Sequence, residues 1–160
     1  MKYYTGVGSR KTPQSILSVM IQLAKKLETE GWTVRTGDAQ GADHAFRSAT
    51  KKHEIYTASH CTSESMKIAQ SYHPRWESCS EYARKLHGRN IFQVLGIDLN
   101  KPSSFLICWT PDGCTSHRER NFRTGGTGTA ISVADAYKIQ IVNLYIKQHL
   151  DRAVKYILKQ

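Results

Sequence analysis

Tyr4-Thr5-Gly6-Val7-Gly8-Ser9-Arg10 is a β-rich run that ends in a turn of small residues. Related signatures return at Thr36-Gly37-Asp38-Ala39-Gln40-Gly41-Ala42-Asp43, at Trp109-Thr110-Pro111-Asp112-Gly113 and at Thr124-Gly125-Gly126-Thr127-Gly128-Thr129. Strands that end along one common edge, with small residues and helix starts just beyond it, build the anion-binding crevice of an open α/β sheet. The pattern therefore predicts a ligand that carries phosphate.

Working outward from the first run, Thr12-Pro13 reads as a helix N-cap followed by a first-turn proline. Ile16, Leu17, Met20, Ile21, Leu23, Ala24 and Leu27 then describe a broad helical face that Gly31 ends. Trp32 to Thr36 reads as the second strand, a helix begins at Gly41, and Glu54 to Thr57 is a short third strand. Residues 59–99 are more polar, with helices expected at 63–71, 77–87 and 89–95. An apolar strand follows at 104–109, a helix at 128–137, a strand at 139–144 and an amphipathic helix at about 145–158. The expected fold class is α/β: a single Rossmann-like domain over residues 1–160, with a mainly parallel sheet of about five strands and helices on both faces.

Lys and Arg outnumber Asp and Glu 23 to 13, a formal charge of +10, which favours anionic partners without choosing among them. No apolar run approaches the ~18 residues needed to span a membrane, and the start Met1-Lys2-Tyr3-Tyr4 has no secretory character, so a cytoplasmic protein without membrane contact is expected. Cys61, Cys79, Cys108 and Cys114 form no C-x-x-C pair and suit reduced thiols. His60-Cys61 and Cys114 with His117 lack the paired spacing of a zinc site, so no structural metal is predicted.

In the first loop, Gly8 permits a sharp turn, the Ser9 and Thr12 hydroxyls suit phosphate oxygens, and Arg10 adds a charge-assisted fork. The second signature sets Asp38 and Asp43 among Gly37, Gly41 and Ala42; one carboxylate is expected to cap the helix and the other to meet ribose or a base amino group, in either assignment. In the fourth, the amides of Gly125, Gly126 and Gly128 with the Thr127 and Thr129 hydroxyls suit a phosphate at a helix start. It is no Walker loop, because the Gly-Lys-Ser/Thr ending is missing, and its glycines are too close for a dinucleotide fingerprint.

These motifs, together with Gly88-Arg89-Asn90, Phe46 and the run from Phe105 to Gly113, resemble the short DprA-like proteins of the SMF/DprA and LOG superfamily, many of them phage-encoded. The resemblance spans nearly the whole chain. It implies a Rossmann-like fold binding nucleotides, nucleotide-derived signals or single-stranded DNA at the strand-end crevice, with Arg89, Asn90, Trp109 and Thr110 joining the ligand-binding set. The LOG phosphoribohydrolases carry Pro-Gly-Gly-x-Gly-Thr-x-x-Glu with a catalytic glutamate. Here Thr124 stands at the proline and Ser132 at the glutamate, and a hydroxyl does not replace a carboxylate as an acid or base near neutrality.

The leading expectation is capture of a nucleotide-derived small molecule, ADP-ribose-like or a cyclic nucleotide signal, without a required cofactor. If the chain is phage-encoded, that becomes sequestration of a host immune signal in the host cytoplasm, as an anti-defence protein. A nucleotide N-glycosidase using Asp38 or Asp43 is the first alternative. The second is DprA-like binding of single-stranded DNA through Arg10, Arg35, Arg47, Arg84, Arg89, Arg118, Arg120 and Arg123 with Tyr72, Trp76 and Trp109. Arg118 to Arg123 reads as a mobile basic lid, and the C-terminal helix as a face for homo-oligomer formation.

Overall fold

A computed structural model describes residues 1–159. The elements in chain order are β1 (Lys2–Gly6), α1 (Gln14–Thr29), β2 (Trp32–Gly37), α2 (Ala42–Ala49), β3 (His53–Tyr56), α3 (Ser63–Tyr72), α4 (Glu81–Leu95), β4 (Phe105–Cys108), α5 (Thr127–Ala136), β5 (Gln140–Asn143) and α6 (Lys147–Leu158). All strand pairs are parallel, and the sheet order is β3-β2-β1-β4-β5. The chain thus builds outward from β1 in one direction, then returns to add β4 on the opposite side. The reversal between β1 and β4, where Thr5 faces Leu106 and Gly6 faces Ile107, is the topological switch point of such a sheet.

Side chains alternate across the strands and feed two cores. Tyr4, Val34 and Ile107 meet Met20 and Leu23 of α1, Phe46 of α2 and Ala153 of α6 on one face. Leu106 and Cys108 meet Ala69 of α3, Ile91 and Val94 of α4 and Ile131 of α5 on the other. The Rossmann-like α/β sheet is therefore covered on both sides, which is why β4 reads as an unbroken apolar run. Among the described residues, no helix is long and apolar enough to cross a membrane, and all four cysteines are free.

Local chemistry explains where the helices begin and end, and where the sequence reading needs correction. Thr12 does not cap α1. Pro13 occupies that position, while the Thr12 hydroxyl donates to the Ser9 carbonyl at 2.6 Å. The Thr62 hydroxyl caps α3, accepting from the Ser65 amide at 3.1 Å, and Ser65 Oγ accepts from the Thr62 amide at 3.0 Å. The two helices expected at 77–87 and 89–95 are one, α4, capped by Ser80 through the Ala83 amide at 3.1 Å. Gly88 marks a close approach within that helix, since a Cβ there would lie 2.4 Å from Cys61 Sγ.

Candidate functional site

A crevice of about 570 Å³ opens beyond the carboxyl ends of β1, β2 and β4. Its walls are the loop from Gly8 to Lys11, Ala39 and Asp43, the α4 face carrying Ala83, Leu86, His87, Asn90 and Gln93, and the segment from Phe122 to Thr127. It sits at the β1/β4 switch point, the place where open α/β sheets hold ligands. Arg10, Lys11, Arg89 and Arg123 line it beside a single carboxylate, Asp43, so the lining favours an anion.

The β1 loop is held mostly by its own backbone. The Ser9 amide donates to the Trp109 carbonyl at 3.1 Å, and the Ser9 hydroxyl accepts from the Lys11 amide at 3.0 Å. Gly8 fits against Ala42, where an added Cβ would lie 2.8 Å from the alanine methyl. Gly41 lies against Arg10 Cα and the Ser9 carbonyl at 2.8 Å on the same measure. Gly41 and Ala42 therefore seat the loop and do not line the crevice.

Beneath the crevice, Gly37 leaves room for three polar groups. A Cβ there would lie 2.5 Å from Asp43 Oδ2, 2.6 Å from Gln93 Nε2 and 2.8 Å from Arg89 Nη1. The two aspartates divide accordingly. Asp38 stands outside the crevice, half-exposed, and accepts from Arg89 Nη1 at 2.6 Å. Arg89 is further fixed by donating to the Tyr56 carbonyl at 3.2 Å and, through Nε, to Asn90 Oδ1 at 3.0 Å. Asp43 is 4 % exposed and accepts from the Ala39 amide at 3.3 Å. Burial pushes its carboxyl up to about 6, against the lowering pull of Arg89, the Ala39 amide and Arg47. Neither aspartate side chain caps α2, contrary to the expectation for one of them, because Gly41 fills the cap position without a side-chain bond. Among the described residues Gln93 Oε1, buried at this floor, has no hydrogen-bond partner.

The opposite wall is the turn into α5. Thr124 is buried and donates to Asp112 Oδ2 at 2.6 Å. Gly125 has φ 72°, Gly126 caps the helix in an αR conformation, and neither has a heavy atom within 4 Å of an added Cβ. Asn90 Nδ2 donates to the Gly126 carbonyl at 3.0 Å, joining this turn to α4. Among the described residues the Gly126 and Thr127 amides have no acceptor, so both are free to donate to an anion at the start of α5.

Of the residues singled out in the sequence, Gly8, Ser9, Arg10, Asp43, Arg89, Asn90, Gly125, Gly126 and Thr127 line one crevice. Others serve the scaffold. Thr110 Oγ1 accepts from Asn143 Nδ2 at 2.8 Å, and Trp109 is buried beneath the loop. Gly128 leaves space for Arg120, and Thr129 Oγ1 meets His87 Nδ1 at 2.7 Å and Arg120 Nη2 at 3.0 Å. Ser132, within α5, is fully buried, bonded to His117 Nδ1 at 2.7 Å, and does not line the crevice.

Of the arginines offered for strand binding, Arg10, Arg89 and Arg123 line the crevice, whereas Arg35, Arg47, Arg84 and Arg120 are bonded to the protein's own carbonyls. Arg35 is 1 % exposed, pairs with Glu54 at 3.3 Å and donates to the Lys101 carbonyl. Arg47 donates to the Ala39 carbonyl at 2.6 Å, Arg84 to the Trp76 carbonyl at 3.0 Å, and Arg120 to the Tyr72 carbonyl at 3.2 Å. With Arg120 turned inward, the segment 118–123 is not a single basic lid. Its Phe122 is 94 % exposed at the crevice mouth beside Arg123. Sequence reasoning missed His87 and Gln93, although 83, 86, 87, 90 and 93 recur at helical spacing once α4 is unbroken. No protein-family model, no curated protein and no solved structure matches the chain.

Proposed function

We propose that the crevice captures one nucleotide-derived anion. The observation that carries this reading is the switch-point crevice itself, where the open Gly125-Gly126-Thr127 turn faces Asp43 and Arg89 across about 570 Å³, room for a small molecule. A phosphate fits the free Gly126 and Thr127 amides with Arg10 or Lys11 alongside. Ribose hydroxyls fit Asp43, which is an acceptor when ionised, and a donor group on the ligand would satisfy Gln93 Oε1. Phe122 offers a stacking surface for the base. The resemblance of the motifs to the SMF/DprA and LOG superfamily supports the same ligand class, and with a phage origin the function becomes sequestration of a host nucleotide signal.

The test is native mass spectrometry of the purified chain against mononucleotides, ADP-ribose, cyclic nucleotides and oligonucleotides. Retention of one unchanged small nucleotide per chain, weakened in Arg10→Ala, is the expected result. Affinity that grows with oligonucleotide length and collapses with salt would replace capture by strand binding.

One observation favours hydrolysis as a second reading. A crevice carboxylate raised to about 6 is poised as a general base, and Asp43 is the one so placed. Release of free base from the captured nucleotide, lost in Asp43→Asn with binding retained, would establish an N-glycosidase.

A further inference from the structure

A second group of reactive side chains lies on the outer wall of the crevice. Pro74 disfavours helix at the residue before it, so the chain leaves α3 at His73, which is extended at φ −81° and ψ 123°. A tight turn at Trp76–Ser78 follows, and Cys79 leaves that turn immediately before the Ser80 cap of α4. Arg84 staples this connection from α4, donating through Nε and Nη2 to the Trp76 carbonyl at 3.2 and 3.0 Å. The result brings His73, Cys79 and His87 together, with one ligating atom from each lying within 4.8 Å of the others.

We propose that His73, Cys79 and His87 bind a zinc-class divalent transition-metal ion. One thiolate and two imidazoles form a borderline-soft donor set that suits zinc and cobalt and ill suits magnesium or calcium. Cys79 Sγ lies 3.6 Å from His73 Nε2. Tetrahedral bonds of ~2.3 Å to sulfur and ~2.0–2.1 Å to nitrogen set two such ligands about 3.5 Å apart, so this pair is already spaced for capture. His87 has the outer partner that a ligating histidine needs: Nδ1 meets Thr129 Oγ1 at 2.7 Å, which leaves Nε2 for the ion. His73 must change one bond. The Arg75 amide donates to its Nδ1 at 3.0 Å, and whichever ring nitrogen ligates, that amide turns away on loading.

Charge sets the remaining condition. The Arg120 guanidinium, held by Tyr72 and Thr129, opposes an added cation. The Cys79 thiolate offsets part of that charge, and its proton passes to solvent as the sulfur–metal bond forms. With three protein ligands, a fourth position is left for water. Because His87 also lines the crevice, the ion would border the ligand without forming its floor.

The experiment titrates the chelator-treated full chain with Co²⁺ and then Zn²⁺. The expected result is one equivalent of Co²⁺ per chain, a thiolate-to-cobalt charge-transfer band, and displacement by one equivalent of Zn²⁺. Cys79→Ser removes the band, His87→Gln weakens Co²⁺ binding about tenfold or more, and Cys61→Ser and Cys114→Ser change neither. Should Cys79→Ser lose its far-ultraviolet circular dichroism, His73→Gln supplies the same comparison through affinity. Uptake that is weak and beyond one equivalent, a band that survives Cys79→Ser, or affinity unchanged in both histidine variants would overturn the site. None of these readouts involves a nucleotide, so their outcome stands apart from that of the crevice ligand.

Discussion

The Gly8 loop, with Gly41 packed behind it, and the Gly125-Gly126 turn both help to build the crevice, and the same sequence signal has opposite physical causes in them. At Gly8 and Gly41 the small residue is required because an added Cβ would lie 2.8 Å from the Ala42 methyl or from the backbone of Ser9 and Arg10. At Gly125 and Gly126 an added Cβ would meet no heavy atom within 4 Å beyond the adjoining residues, and among the described residues the Gly126 and Thr127 amides have no acceptor. The first turn is packing that positions a site, whereas the second is exposed backbone available to a ligand. The comparison separates stability from binding, and substitutions can test it one glycine at a time.

The largest effect is expected at Gly41. Its φ of 79° with ψ −124° is a conformation L side chains rarely adopt, and its neighbours are backbone atoms that cannot swing aside. Gly41→Ala should destabilise the chain by about 3 kcal/mol or more in urea unfolding. A loss under about 1 kcal/mol would mean that the β1 loop yields easily and that the two turns do not differ as argued.

Asp43→Asn comes next and acts with the opposite sign. Burial raises the folded-state value from 3.8 to about 6, so the folded chain holds this proton more tightly than the unfolded chain. The contribution to stability is fully present below 3.8, falls as pH rises towards about 6, and is flat above it. Asp43→Asn should remove that slope and gain on the order of 2 kcal/mol at neutral pH. A wild-type chain with no loss of stability between pH 4 and 6 relative to Asp43→Asn would place this carboxylate in contact with water.

Much of the scaffold was legible because periodicity reports burial directly. The all-parallel sheet follows from apolar runs such as Phe105-Leu106-Ile107-Cys108 alternating with helical faces such as Ile16 to Leu27. The wall formed by α4 was not legible, since Gly88 resembles a helix break and only its tertiary contact with Cys61 gives the reason for it. The inward turn of Arg35 and Arg120 was hidden for a similar reason. Composition registers a cation, but its partners are carbonyls from distant segments, at Lys101 and at Tyr72. His73, Cys79 and His87 share no recognisable spacing because three separate segments deliver them.

On the open side of the crevice the effects on stability are smaller. Gly125 has φ 72° with free space around it, so Gly125→Ala meets backbone strain without collision and should lose about 1 kcal/mol. A loss matching that of Gly41→Ala would show that this turn too is packed.

The smallest change in stability, with the clearest change in function, is expected for Gly126→Ala. Gly126 has φ −61° and ψ −26°, ordinary αR values that alanine adopts without strain. Alanine is favoured over glycine within a helix by about 1 kcal/mol, and glycine is favoured over alanine at an N-cap, so the two tendencies largely cancel. Among the described residues, the new methyl would meet no heavy atom within 4 Å beyond its own turn. It would instead stand beside the Gly126 and Thr127 amides, where the proposed phosphate sits. Unfolding within about 0.5 kcal/mol of wild type, combined with about a tenfold or greater loss of nucleotide affinity by calorimetry, is the expected pair of results. Unchanged affinity would mean that the anion rests elsewhere in the crevice, on Arg10 and Lys11 alone, and that the α5 turn is open for a reason other than binding.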